Sequence, residues 1–343
     1  MNEMNRHQNV LLRAASLILL TAVIATGQAK IATTAAQFLG IPVGPQAVSM
    51  GSAFVASTED VTGLYWNPGS VGFLDRTQVA FSNTEWLAGS QFRWIGGILT
   101  ADGVNYFGVS LTNLDYGEDE VTTVESPDGT GERWSASDVA FAVTYTRRFT
   151  DRFAIGGSGK FIHQRIYNES ANTLAFDFGL LFLTGFNDMR LGMSISNFGG
   201  DMNLDGRDLL QRVDIDPANS GSNKNVPGKL KTDDWPIPLL FRVGVAMDVV
   251  KNDMLRWTLA ADALRPSDNV ESVNVGTEVG WGDMLFLRGG FKGIGLDNSE
   301  EGLSFGGGVK VAIEGLATME VHYAYTQFGF FGNLNTIALS VSM

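Results

Sequence analysis

The sequence predicts an all-β protein: a 14-stranded antiparallel transmembrane β-barrel with an N-terminal plug segment. Three observations predict it. Long stretches alternate apolar and polar residues at period two. The connections between them alternate between short and varied lengths. After the N-terminus, no stretch reaches the roughly 18 consecutive apolar residues of a membrane-spanning helix.

The end of the chain shows the alternation most cleanly. Leu303, Phe305, Gly307, Val309, Val311 and Ile313 share one face, and Ser304, Gly306, Gly308, Lys310 and Ala312 share the other. Ala317, Met319, Val321, Tyr323 and Tyr325 repeat the pattern, as do Ile337, Leu339, Val341 and Met343. A water-soluble sandwich alternates too, but rarely places several strands of this length in succession on very short turns. An apolar face toward lipid and a polar face toward a lumen explain both features.

Composition agrees. The 343 residues include 41 glycines, 22 phenylalanines and no cysteine, with a net charge of −13. The missing cysteines exclude a disulfide framework and thiolate metal sites. The acidity argues against nucleic acid as a partner, because phosphate binding needs a basic face.

In chain order, residues 1–29 read as a secretory signal peptide. Arg6 and Arg13 give it a basic start, Ala14 to Ala25 an apolar run, and Gly27-Gln28-Ala29 a cleavage site. Residues 30–76 read as the plug. Gln46 to Ala56 suit a short helix entered after Gly44-Pro45. Leu64-Tyr65-Trp66-Asn67-Pro68-Gly69 is aromatic and turn-rich. Residues 77–343 carry the strands, expected at Thr77–Thr84, Phe92–Thr100, Asn105–Tyr116, Ser137–Phe149, Phe153–Ile166, Ala171–Thr184 and Met189–Phe198. The second half is expected at Pro238–Val250, Leu255–Arg265, Glu271–Trp281, Leu285–Ile294, Gly302–Ile313, Ala317–Phe328 and Asn335–Met343. Connections after even-numbered strands are short, whereas Gly117–Ala136 and Gly199–Ile237 are long. Short periplasmic turns and long external loops are expected of an outer-membrane barrel.

The lumen face carries charges that pair across expected hairpins. Lys310 falls opposite Glu320, Glu278 near Arg288, and Asp248 near Arg256. Arg190, Arg242 and Lys292 lie on the same face without an obvious partner. Gly96-Gly97 and Gly156-Gly157 interrupt strands, marking either a wall kink with a lateral exit or a plain barrel corner. Trp86, Trp94, Trp257 and Trp281 lie near strand ends and suit interfacial girdles.

Enzymatic signals are weak. His163 and His322 are far apart, and no nucleophile elbow or phosphate-loop motif occurs. No cofactor is expected. Asp201, Asn203 and Asp205 match the first half of a calcium loop, but Arg212 stands where a bidentate Glu is needed. A turn-rich acidic external loop is the better reading of them, with calcium only a weak candidate.

Several segments resemble the PorV/PorQ family of outer-membrane proteins, which is related in architecture to the FadL fatty-acid transporters. They are Ala36 to Ile41, Gln46 to Ala56, Leu64 to Gly69 and Thr84 to Leu87. Gly69 stands where the family usually has Ala, Gln46-Ala47 replaces its Ala-Arg, and the chain ends on Met343 where barrel-assembly signals commonly end on Phe. The resemblance implies an outer-membrane location, a plugged 14-stranded barrel and a role in type IX secretion. Two functional readings follow. In the first, the long loops bind secreted cargo proteins or type IX secretion subunits. In the second, Phe54, Leu64, Tyr65, Trp66, Asn67 and Pro68 of the plug border a path for hydrophobic small molecules, which leave through a glycine kink into the outer-membrane lipid. A continuous apolar pocket between plug and wall would discriminate them.

Overall fold

The computed structural model describes residues 33–215, 218, 225–296, 299–313 and 317–343. The expected signal peptide, the start of the plug and the turn at 314–316 lie outside these residues. Among the described residues, fourteen strands form the wall. They are β1 Gln78–Glu85, β2 Gln91–Thr100, β3 Asn105–Glu120, β4 Arg133–Thr150, β5 Phe153–Ile166, β6 Glu169–Leu183 and β7 Arg190–Gly199. The other half comprises β8 Leu240–Lys251, β9 Leu255–Pro266, β10 Ser272–Trp281, β11 Leu285–Ile294, β12 Glu301–Ile313, β13 Ala317–Phe328 and β14 Asn333–Ser342. Each strand is antiparallel to its sequence neighbours. β1 pairs with β14, Gln78 opposite Ser342, and closes the barrel.

Closure and alternation together sort the side chains. Phe107, Val109 and Leu111 of β3 and Phe141, Val143 and Tyr145 of β4 are exposed on the outside, while Ser110, Thr112, Ala140, Ala142 and Thr144 are buried inside. The same split holds for Phe305 against Ser304 and for Ile337 against Thr336. A continuous apolar outer band suits lipid rather than water. Trp257 and Trp281 are exposed near the short-turn end, as a girdle requires. Trp94 departs from that expectation: it points inward at 1% exposure, over the space left by Gly96. Trp86 packs edge-on against Phe328 at 5.7 Å.

The long-loop end differs from expectation in extent. β3 and β4 continue past Tyr116 to Glu120 and Arg133, through a bulge between Asp115 and Glu118. Most of the expected 117–136 loop is therefore an extension of the hairpin. In the 199–237 connection, Leu210–Val213 pairs with Val226–Lys229, and Met202 bridges to Trp235 across the barrel mouth.

The plug fills the lumen with four short helical turns, Gln37–Gly40, Pro45–Ser49, Gly63–Trp66 and Ser70–Phe73. The helix expected over 46–56 stops at Ser49. Gly51 (φ 61°) and Ser52 (φ 63°) adopt left-handed conformations that no helix can include. That turn sends the chain along the wall toward Val55.

Candidate functional site

The plug is seated backbone-to-wall. A β-carbon at Gly192 would collide with Val55, one at Gly276 with Met50, and one at Gly306 with Ser49. Glycine at these inward positions lets plug and wall approach closely. Hydrogen bonds then fix the seat. One Asp262 carboxylate oxygen accepts from the Phe54 and Val55 amides at 2.7 and 2.8 Å. Asn67, fully buried, donates through Nδ2 to the Val55 and Leu180 carbonyls at 2.8 and 2.9 Å and accepts from the Gly69 amide. The Thr146 hydroxyl donates to the Pro68 carbonyl at 2.6 Å.

The plug aromatics form a packed cluster. Trp66 meets Phe54 and Tyr65 edge-on at 6.1 and 5.1 Å and donates to the Val43 carbonyl at 2.9 Å. The Tyr65 hydroxyl reaches the Leu39 and Ile41 carbonyls. Arg242 lies over the Trp66 ring at 5.0 Å. Trp66, Asn67 and Pro68 are thus taken up in holding the plug together and against the wall. Leu64 and Tyr65 border only a cavity of about 10 Å³, with Trp94 and Lys160 on its wall side. That is about the space of one water molecule. Phe54 borders a polar cavity of about 110 Å³ at the short-turn end.

At the short-turn end the lumen is charged. Arg288 Nε meets Glu278 at 2.6 Å, and Lys310 lies opposite Glu320 at 3.9 Å and meets Asp283 at 2.8 Å. Asp248 does not pair with Arg256. The turn is centred one to two residues later than expected, so Lys251 faces Arg256, and beyond a bulge between Asp248 and Val250 Asp248 faces Thr258. Asp248 instead binds Arg190 at 2.8 Å, and Arg256 binds Glu278 at 2.8 Å. Glu59 of the plug joins the two groups, bound by Arg190 and, at 2.5 Å, by Arg256. Burial favours the neutral carboxyl of Glu59, but the two guanidiniums outweigh it and hold the carboxyl below the usual glutamate range. Lys292, unpaired in the sequence reading, binds Glu301. His322 is buried between Arg288, 3.1 Å from Nδ1, and Glu320, 3.0 Å from Nε2. A neutral ring protonated at Nε2 satisfies both neighbours. Glu59, Arg190, Asp283, Lys310 and Glu320 border two polar cavities, of about 110 and 620 Å³. Glu59 escaped the sequence reading because its partners, Arg190 and Arg256, are remote in the chain.

At the long-loop end the opposite chemistry prevails. A cavity of about 760 Å³ lies between the tops of β3 to β6 and the 199–237 connection. Trp134, Ala136, Ile166, Met202, Leu204 and Trp235 supply its apolar lining. Asp138, Gln164 and Tyr116 supply polar groups. The plug seals its inner side, where the Ala36 amide donates to Gln164 Oε1 and the Ala35 amide to the Pro236 carbonyl, both at 2.9 Å.

Two other expectations change. Strand register runs unbroken through Gly96-Gly97 and Gly156-Gly157, so neither pair kinks the wall or opens it sideways. Of the calcium candidates, Asp205 pairs with Lys229 and Asn203 exchanges hydrogen bonds with Thr232. Among the described residues no group of three His, Asp or Glu side chains is placed to hold a metal ion. His163 bonds Asn172 at 2.6 Å.

No protein-family model and no curated protein matches the chain. Solved structures do. The Ralstonia pickettii toluene transporter TbuX is similar with a TM-score of 0.52 and 12% identity, over 88% of this chain and 97% of that one. The monoaromatic hydrocarbon channel CymD gives 0.55 and 11%, over 88% and 96%. The Pseudomonas putida toluene transporter TodX gives 0.51 and 13%, over 88% and 97%. At such identities the likeness is one of fold. The matched proteins are transporters and channels, not enzymes. The chain is a closed 14-stranded antiparallel barrel with an apolar outer face.

Proposed function

We propose that this outer-membrane barrel takes up hydrophobic small molecules, admitting them through the vestibule at its external end. The observation that carries the reading is the 760 Å³ cavity, lined mainly by apolar side chains with a few polar groups at its floor. Size and lining are those of small-molecule sites. The likeness to toluene and monoaromatic hydrocarbon channels supports the same reading. It favours uptake over the type IX secretion role that the PorV/PorQ resemblance implies, and the secreted-cargo partners go with that role. Beyond the vestibule the plug is packed tightly, so passage toward the periplasm requires the plug to shift.

Proteoliposome uptake tests the reading. Wild-type protein should accelerate transfer of toluene or a medium-chain alkane into the vesicle interior. Ala136→Trp, which fills the vestibule from the wall, should abolish most of that acceleration while leaving the barrel folded. Equal uptake by both proteins, or none by wild type, would contradict it.

A further inference from the structure

The vestibule contains one group that a pure hydrocarbon has no use for. Asp138, on β4, is 4% exposed and borders the cavity. Its partners are neutral. The Tyr116 hydroxyl donates to Oδ2 at 2.8 Å, and the Gln164 side chain hydrogen-bonds it too. Among the described residues no lysine or arginine lies within 4.0 Å of it.

The other buried carboxylates of the wall are matched. Asp177 has Lys160 at 2.8 Å, Asp248 has Arg190 at 2.8 Å, and Glu278 has Arg288 at 2.6 Å. Asp262 also lacks a cation, and its Oδ1 has no partner, but its Oδ2 accepts two plug amides and the plug backbone covers it. Asp138 alone among these five turns toward an open apolar space. The basic residues bordering the same cavity do not answer it. Arg165 is exposed and donates to the Ser135 hydroxyl at 2.8 Å, and Lys231 is exposed at the rim beside Asp233. His163 sits on the outer face, bound to Asn172.

A carboxylate withdrawn from water without a cation is costly, and a cation brought to it recovers that cost. An acceptor of this kind has lone pairs to spare after two neutral donors.

We propose that the vestibule is an ammonium-selective site for apolar amines, in which Asp138 binds the ligand's ammonium group and the Trp134–Ile166–Trp235 lining holds its hydrocarbon body. The proposal rests on the uptake reading above and narrows it to a substrate class. Tyr116 and Gln164 act as positioning residues that aim the carboxylate at the cavity. The aromatic rings add to the preference for a cation, which is attracted to their faces.

Equilibrium binding by tryptophan fluorescence separates the possibilities, since Trp134 and Trp235 both face the cavity. The probes are phenethylammonium, the neutral 2-phenylethanol, the anionic 3-phenylpropionate, and toluene. Wild type should bind phenethylammonium at least roughly tenfold tighter than 2-phenylethanol, as one charge-assisted hydrogen bond would give. Asp138→Asn should remove that advantage. Toluene binding with no ammonium preference in wild type would overturn the ammonium site and leave the uptake reading standing. An ammonium preference that survives Asp138→Asn would overturn the role of Asp138. Absence of binding by every probe would sink both. The wild-type comparison needs no variant, so it decides even if Asp138→Asn does not fold.

Discussion

Asn67 shows how much of the plug depends on single polar side chains. It is fully buried, and its amide satisfies two carbonyls and one amide hydrogen on three separate segments. Asn67→Ala would leave the Val55 and Leu180 carbonyls without these donors, at roughly 1–3 kcal/mol for each group left unsatisfied. The expected outcome is a plug that becomes protease-sensitive at lower urea concentration while the barrel stays resistant; unchanged sensitivity would refute the role. Glu59 makes a pH prediction. In the folded protein desolvation raises its pKa, but Arg190 and Arg256 outweigh that and hold the carboxyl below the usual glutamate range. A lowered carboxylate pKa means that its contribution to stability is complete above about 4.5 and is lost as pH falls through the lowered value. Plug release, followed by protease cutting between residues 50 and 76, should therefore rise on acidification below pH ~4.5. Glu59→Gln should release more readily at neutral pH and lose most of that pH dependence. A Glu59→Gln profile that parallels wild type would count against the link.

At the scale of elements, what matters is which face of a strand meets the plug. Gly156 and Gly157 are adjacent on β5 yet opposite in environment. A β-carbon at Gly156 would strike the Pro68 carbonyl and the Thr146 hydroxyl, whereas one at Gly157 would find ordinary contacts 3.5 Å away. Gly156→Ala should destabilise by roughly 1–3 kcal/mol, the usual cost of overpacking, and Gly157→Ala should be close to neutral. Heat-modifiable electrophoretic mobility would rank the two, and equal effects would show that the plug yields. Most elements were legible in the sequence, because alternation and turn chemistry are local. β5, β11 and β13 have the expected limits, and Glu278 faces Arg288 across the turn at Asp283. What was not legible depends on non-local geometry. The turn after β8 is centred past Asn252, so Lys251 and not Asp248 faces Arg256, and a bulge after Asp248 shifts the register once more. The acidic run Glu118–Glu120 has no alternation, so nothing local marks it as the continuation of β3. Trp94 faces inward because Gly96 leaves it room, a fit invisible to a strand-end rule.

The whole molecule is a lipid-facing wall, a plug locked to it by glycine contacts and buried hydrogen bonds, and two chambers of opposite character. The barrel could be read from period two together with the lengths of the connections. The chambers could not, since the vestibule joins β3 to β6 with Met202 and Trp235 from a distant connection. The plug aromatics suggested a ligand path, and folding instead packs them against each other. The absence of cysteine offers a direct test of the vestibule as the ligand chamber, because Ala136→Cys would carry the only thiol. The measurement is the rate of maleimide labelling of that thiol with and without saturating toluene, beside the same measurement on Thr318→Cys in the short-turn chamber. Toluene should slow labelling several-fold at position 136 and leave position 318 unchanged. Equal rates with and without toluene at both positions, or equal slowing at both, would contradict the vestibule as the place where apolar molecules bind.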